Sequence, residues 1–177
     1  MAFSDQIPEV IPQELTAFWT RATTRGKLLN APGYLGQDDD VYLEPPASSW
    51  GDGTPADADR QVQLVLDGQK TAIFSYLPSY EAAGVEIPQV GDLEILLDGR
   101  AHPRALLRTT KVRTIVFNEI DDAVASADGV AGLALWQAEY RELFASEAEM
   151  NGLEFSDNDG VVVQFFDVMY SIDSDLS

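Results

Sequence analysis

Leu64-Val65-Leu66-Asp67-Gly68-Gln69-Lys70-Thr71-Ala72 is the stretch on which the fold turns. Ahead of it, Thr54 is suited to cap a helix, Pro55 to its first position and Asp57 to its first turn, and Val62, Val65 and Leu66 follow on one helical face. Gly68 closes that helix, because glycine adopts the left-handed conformation of a helix end without steric cost. Beyond it the composition changes to strand formers, at residues 71–77, 93–97, 105–117 and 161–170. Asp98-Gly99, after the second of these, is a hairpin signal. Helices and strands in mixed order with a hairpin predict an α+β domain.

Working outward, Leu15, Phe18, Trp19 and Ala22 recur at helical spacing and predict an amphipathic helix over residues 12–29, with Pro12 in its first turn. Residues 30–53 turn polar and broken, with Pro32-Gly33, Asp38-Asp39-Asp40, Pro45-Pro46 and Gly51-Asp52-Gly53, and read as a long surface loop. Toward the other end, Leu133, Trp136, Tyr140, Leu143 and Phe144 form the stripe of a helix lying on a core. Arg100, Arg104, Arg108, Lys111 and Arg113 crowd one strand region, where they either form a local positive strip or neutralise neighbouring carboxylates on an acidic surface.

The 177 residues suit one domain, and 45% hydrophobic with 23% charged residues is a globular composition. Apolar runs such as Val161-Val162-Val163 fall far short of the roughly 20 residues of a membrane span, and residues 1–10 lack the pattern of a secretory signal, so the expectation is a soluble, cytoplasmic protein. With no cysteine and one histidine, thiolate zinc sites, disulfides and multi-histidine metal sites are excluded, and no cofactor or metal is expected. Eleven Lys and Arg against thirty Asp and Glu give a formal charge of −19. That charge opposes long duplex nucleic acid, whose affinity comes from displacing phosphate counterions, more than it opposes small ligands.

Tests for known chemistry are mostly negative. His102 precedes Pro103 in a turn and makes a poor triad base. No phosphate-cradling or dinucleotide glycine motif is present, and Asp38-Asp39-Asp40 lacks the spacing of a calcium loop. Lys70, just past the glycine that ends a helix, is the side chain with a case of its own. It is either partly buried, which makes a lysine available as base or nucleophile, or a solvated surface lysine. Trp50 is either a stacking platform for a base or an anchor beneath its loop, and Arg108 and Thr110 share a strand face that meets either a ligand or neighbouring carboxylates.

The same stretch, residues 64–72, taken with Ser49-Trp50-Gly51-Asp52 and Ala58-Asp59, resembles the signature of the ASCH domain family. Pro88-Gln89-Val90-Gly91-Asp92, Arg108-Thr109-Thr110-Lys111-Val112, Phe117 with Ile120, and Leu133, Trp136 and Phe144 resemble further family segments in the family's order. The Phe18-Trp19 helix fits as well. The resemblance implies a PUA-like fold, a mixed β-barrel flanked by helices, related to RNA-binding modules. It implies RNA binding, RNA cleavage, or hydrolysis of the amide of N4-acylated cytidine by a lysine, a threonine and a glutamate.

Lys70 matches the family lysine, but Ile73 stands where the threonine is expected, and it has no hydroxyl. Thr71 and Ser75 share its strand face, each displaced by about 6.6–7 Å. The acidic family segment reads Ser126-Ala127-Asp128-Gly129-Val130 here, leaving Asp128 as its carboxylate, and Tyr140 replaces a family histidine. The leading expectation is therefore a binding protein that holds a nucleobase, nucleoside or short single-stranded RNA in a cleft near Lys70, bordered by Trp50, Thr71, Ser75, Arg108 and Thr110. The alternatives are a metal-independent hydrolase, with Lys70 and Asp128 as catalytic groups, and an interaction protein with a degenerate site.

Overall fold

Pro12 opens α1 (Pro12–Arg25), which buries Phe18, Trp19 and Ala22, the apolar face its spacing predicts. The computed structural model describes residues 6–25 and 43–173. Positions 26–29 of the expected first helix and 30–42 of the expected loop, Asp38-Asp39-Asp40 included, lie outside the described residues. Within the remainder of that loop, Ala47–Ser49 form a strand, β1, which corrects the reading of an unbroken loop. Three small residues carry no periodic signal. Their strand exists because they pair in parallel with a distant partner.

The chain then runs through α2 (Pro55–Leu66), β2 (Ala72–Tyr76), α3 (Leu77–Ala83), β3 (Leu93–Leu97), β4 (Pro103–Val116), α4 (Asp122–Ala125), a 3-10 turn at Ser126–Asp128, α5 (Leu133–Met150) and β5 (Gly160–Ser171). The hydrogen-bonded strand order is β1-β3-β4-β5-β2. The chain divides into two compact units, residues 1–68, 91–108 and 167–177 in the first and 69–90 and 109–166 in the second.

In the first unit, β1 runs parallel to β3, which pairs antiparallel with β4. Leu93, Ile95 and Leu97 alternate onto one face of β3 and pack, with Leu106 and Tyr170, against Phe18, Trp19 and Ala22. Thr54 caps α2 as its sequence predicts, its hydroxyl accepting from Asp57 N at 3.3 Å. Asp52 adds a second tie, accepting from Thr54 N at 2.9 Å and from the Thr54 hydroxyl at 2.7 Å. These hydrogen bonds, that from the hydroxyl foremost, hold the Asp52 carboxyl below the ordinary carboxylate value. Asp59 on α2 accepts from Gly99 N at 2.8 Å and so ties the helix to the β3–β4 turn. That turn spans Asp98 to His102, a longer connection than a two-residue hairpin, with buried Asp98 accepting from the N–H groups of Arg100 and His102.

In the second unit, β2 is antiparallel to β5 with Ala72 opposite Phe165 and Tyr76 opposite Val161. Ala72, Phe74 and Tyr76 face a core of Phe117, Ile120, Trp136, Phe144, Val161 and Val163. The strand stops at Tyr76 rather than 77 because α3 starts there, with Pro78 in its first turn. On α5, Trp136, Phe144 and Ala148 are buried. Leu143 belongs to the expected stripe but is 54% exposed, one step off the row spaced by four residues. Tyr76 donates to Asp159 Oδ2 at 2.6 Å; burial first, then this carboxylate, push its phenol far above the ordinary tyrosine value. Among the described residues no helix is long and apolar enough to cross a membrane.

Candidate functional site

Past the helix-ending Asp67, Gly68 takes φ +73° and releases the chain toward β2. Thr71 is then pinned on both sides of its peptide plane, its N–H donating to Ala127 O at 2.7 Å and its carbonyl accepting from Phe166 N at 3.1 Å. This fixes Lys70, only 6% exposed, beside the 3-10 turn that carries Asp128, which is 5% exposed. The Lys70 ammonium pairs with Asp128 Oδ1. Tyr140 donates its hydroxyl to the same oxygen at 3.1 Å.

Packing of the second-unit core places that hydroxyl. The Tyr140 ring stacks on Trp136 at 4.6 Å and meets Phe74 at 5.6 Å, so the ring is partly buried against this core and its polar end reaches the carboxylate. Lys70, Asp128 and Tyr140 thus form one buried polar cluster. Burying an ion pair is tolerable only when its remaining valences are met by good hydrogen bonds, and the tyrosine supplies one.

Ile73 lies opposite Gln164 in the β2–β5 register, and Gln164 Nε2 donates to the hydroxyl of buried Thr109 at 2.7 Å. The face that lost its threonine hydroxyl at position 73 therefore carries an amide and a hydroxyl on the neighbouring strands. Ser75 shares that face, opposite Val162, at the far end of β2, roughly 15 Å along the strand from Lys70. The Thr71 and Thr110 side chains are exposed.

Trp50 and Arg108 belong to the first unit. The Trp50 indole N–H donates to Glu94 Oε1 at 2.9 Å, and Ser48 donates to the same oxygen, so Trp50 is anchored on β3. Arg108 is part-buried opposite Leu93 and shares its strand face with Thr110. The positive strip is largely neutralised at one end, where Arg104 pairs with Asp98 and Asp173. Lys111 sits over the Phe165 ring at 5.9 Å, and Arg113 is exposed.

Sequence reasoning placed Tyr140 in the core-facing stripe of its helix and noted it as a departure from a pattern without giving its hydroxyl a role, and it missed Thr109, Gln164 and Glu94. Tyr140 had a usable signal, because it lies four residues from both Trp136 and Phe144 and a buried phenol needs a partner. The other three depend on strand register, which nothing local reveals.

No curated protein sequence matches this chain. Among solved structures, a protein of Enterococcus faecalis V583 superposes with TM-score 0.78 at 28% identity, covering 94% of this chain and 95% of that one. An ASCH domain from Lactobacillus crispatus JV V101 superposes with TM-score 0.76 at 21% identity, covering 96% and 99%. The fold is therefore the PUA-like α+β fold of these domains. The ASCH domain family model matches residues 47–170, from β1 through the Lys70 cluster to the end of β5, and the chain belongs to the ASCH domain family.

Proposed function

We propose that this protein is a binding module for a nucleobase, a nucleoside or a short single-stranded RNA, held beside Lys70. The family is generally proposed to bind RNA. The observation that carries the finer reading is the Lys70–Asp128–Tyr140 cluster. A fixed ammonium beside a fixed carboxylate offers a hydrogen-bond donor and an acceptor side by side, the complement of the adjacent ring nitrogen N3 and 4-amino group on a cytosine edge. Few polar groups in a dry setting orient a ligand well. A neutral base or nucleoside also avoids the repulsion that a net charge of −19 imposes on a polyanion.

The pairing of Lys70 with Asp128 supports a hydrolase as the second reading, since it brings a basic and an acidic side chain together. Against it, an ammonium has no lone pair, and its deprotonation would leave Asp128 buried beside a neutral amine. The threonine of the family hydrolases is replaced by Ile73.

The deciding experiment titrates the protein with cytidine, N4-acetylcytidine and a short single-stranded RNA, following amide shifts and products together. Binding without product, weakened by Lys70→Gln, is the expected result. Product that depends on Lys70 supports the hydrolase, and no shift at millimolar nucleoside or RNA overturns both readings. Trp50→Ala and Arg108→Ala, assayed separately, measure whether either side chain contributes to binding.

A further inference from the structure

Strand β2, α3 and α5 of the second unit enclose a groove of about 290 Å³. Phe74, Phe144 and Tyr80 supply aromatic walls, and Leu143 and Val85, 54% and 57% exposed, supply an apolar rim. Glu147 lines the same groove, and among the described residues no cation or hydrogen-bond donor pairs with its carboxylate. The one cation on α5, Arg141, is committed to Asp157 and lies over the Phe117 ring. The charge of Glu147 adds to burial and to Asp159 in keeping the Tyr76 phenol protonated. On the same groove, the Ser79 hydroxyl accepts a long 3.4 Å contact from Asn151.

We infer that this groove binds a small primary amine with an apolar body, its ammonium on Glu147 and its body between the rings of Phe144 and Tyr80. An ammonium has three donors and no acceptor, which suits the Glu147 carboxylate and the Ser79 hydroxyl. Aromatic faces attract the same charge through their quadrupoles. The strong negative charge of the chain raises the local concentration of cations. The volume suits a ligand the size of an arylalkylamine. A nucleotide phosphate is repelled here, so this site is independent of the proposed nucleobase site at Lys70.

The test titrates the intact protein with phenethylamine, phenethyl alcohol and 3-phenylpropanoate, which share a body and differ in charge, while amide resonances of α3 and α5 are followed. Phenethylamine is expected to give saturable shifts in these two helices, and the alcohol and the acid to bind at least about tenfold more weakly. Glu147→Gln is expected to lose about tenfold in amine affinity with an unchanged circular dichroism spectrum, and Lys70→Gln to lose none. Equal binding of amine and alcohol overturns the proposal without any variant having to fold. Wild-type affinity in Glu147→Gln, or no shift at millimolar amine, overturns it as well. A capped lysine dipeptide is the last arm; tighter binding of it than of phenethylamine overturns the small-molecule assignment in favour of a protein side chain.

Discussion

The Tyr140 hydroxyl lies 3.1 Å from Asp128 Oδ1, the same carboxylate oxygen that holds the Lys70 ammonium. Two residues that differ from the family pattern are therefore joined to the one that matches it. Asp128 is shorter than the glutamate it resembles, and the 3-10 turn brings its backbone close enough to Lys70 to compensate.

This arrangement predicts ordered losses of stability. Tyr140→Phe keeps the ring packing and removes one hydrogen bond to a charged acceptor, costing about 1.5–3 kcal/mol. Lys70→Met leaves a buried carboxylate without its cation and costs about 3–5 kcal/mol. Lys70→Met combined with Asp128→Leu is expected to recover most of that loss. Urea midpoints of the four proteins measure the series, and a double variant weaker than Lys70→Met alone contradicts the cluster's energetics.

Tyr76 sets the alkaline limit. Its phenol is raised above the ordinary tyrosine value of 10.0 by burial and by Asp159, so the folded state retains a proton that the unfolded chain loses. The stabilisation is fully present below pH 10 and is lost as pH rises toward the folded value. Wild-type stability should therefore fall more steeply above pH 10 than that of Tyr76→Phe. At neutral pH the variant is less stable by about 1.5–3 kcal/mol, the worth of a hydrogen bond to a carboxylate. Ultraviolet titration of tyrosinate checks the assignment, with one tyrosine ionising only as the protein unfolds.

Asp52 acts at the acid end. Its carboxyl is held below the ordinary aspartate value of 3.8 by hydrogen bonds from Thr54. Its contribution is present above that value and is lost as pH falls through the lower folded one. Asp52→Asn keeps an acceptor and removes the charge, so it should melt at a lower temperature at pH 7 and match the wild type once pH is below both values. Melting temperatures across an acid series read this directly, and a difference that persists at the lowest pH shows that charge is not the cause.

Gly99 is required by close approach. A Cβ there would lie 2.7 Å from the Cα and carbonyl carbon of Pro55, at the start of α2, where backbone cannot yield. Gly99→Ala is expected to cost about 3 kcal/mol or more. Gly68→Ala meets no atom within 4 Å and bears only the strain of φ +73°, about 1–2 kcal/mol. Denaturation midpoints should separate the two.

Much of the family signature turns out to serve the fold. Asp52 ties the start of α2, Ala58 is fully buried, and Asp59 holds the Gly99 N–H. α2 was legible to the residue at its start because capping is local chemistry between Thr54 and Asp57. β3 was equally legible from its composition, while β1 was not, since Ala47–Ser49 become a strand only by pairing with residues 95–97. α3 was hidden because its seven residues bury no side chain fully.

For the candidate site, sequence alone determined that Lys70 follows a helix end, that Asp128 is the carboxylate left in its segment, and that position 73 has no hydroxyl. These follow from residue identity and local backbone preference, which need no partner. Only the tertiary structure decided that Lys70, Asp128 and Tyr140 share one buried carboxylate oxygen, that Gln164 and Thr109 stand beside Ile73, and that Glu147 lies in a groove to which, among the described residues, no cation contributes. Each of these joins residues distant in sequence, or finds a residue without a partner, and depends on strand register and helix packing, where a shift of one residue turns every side chain to the opposite face.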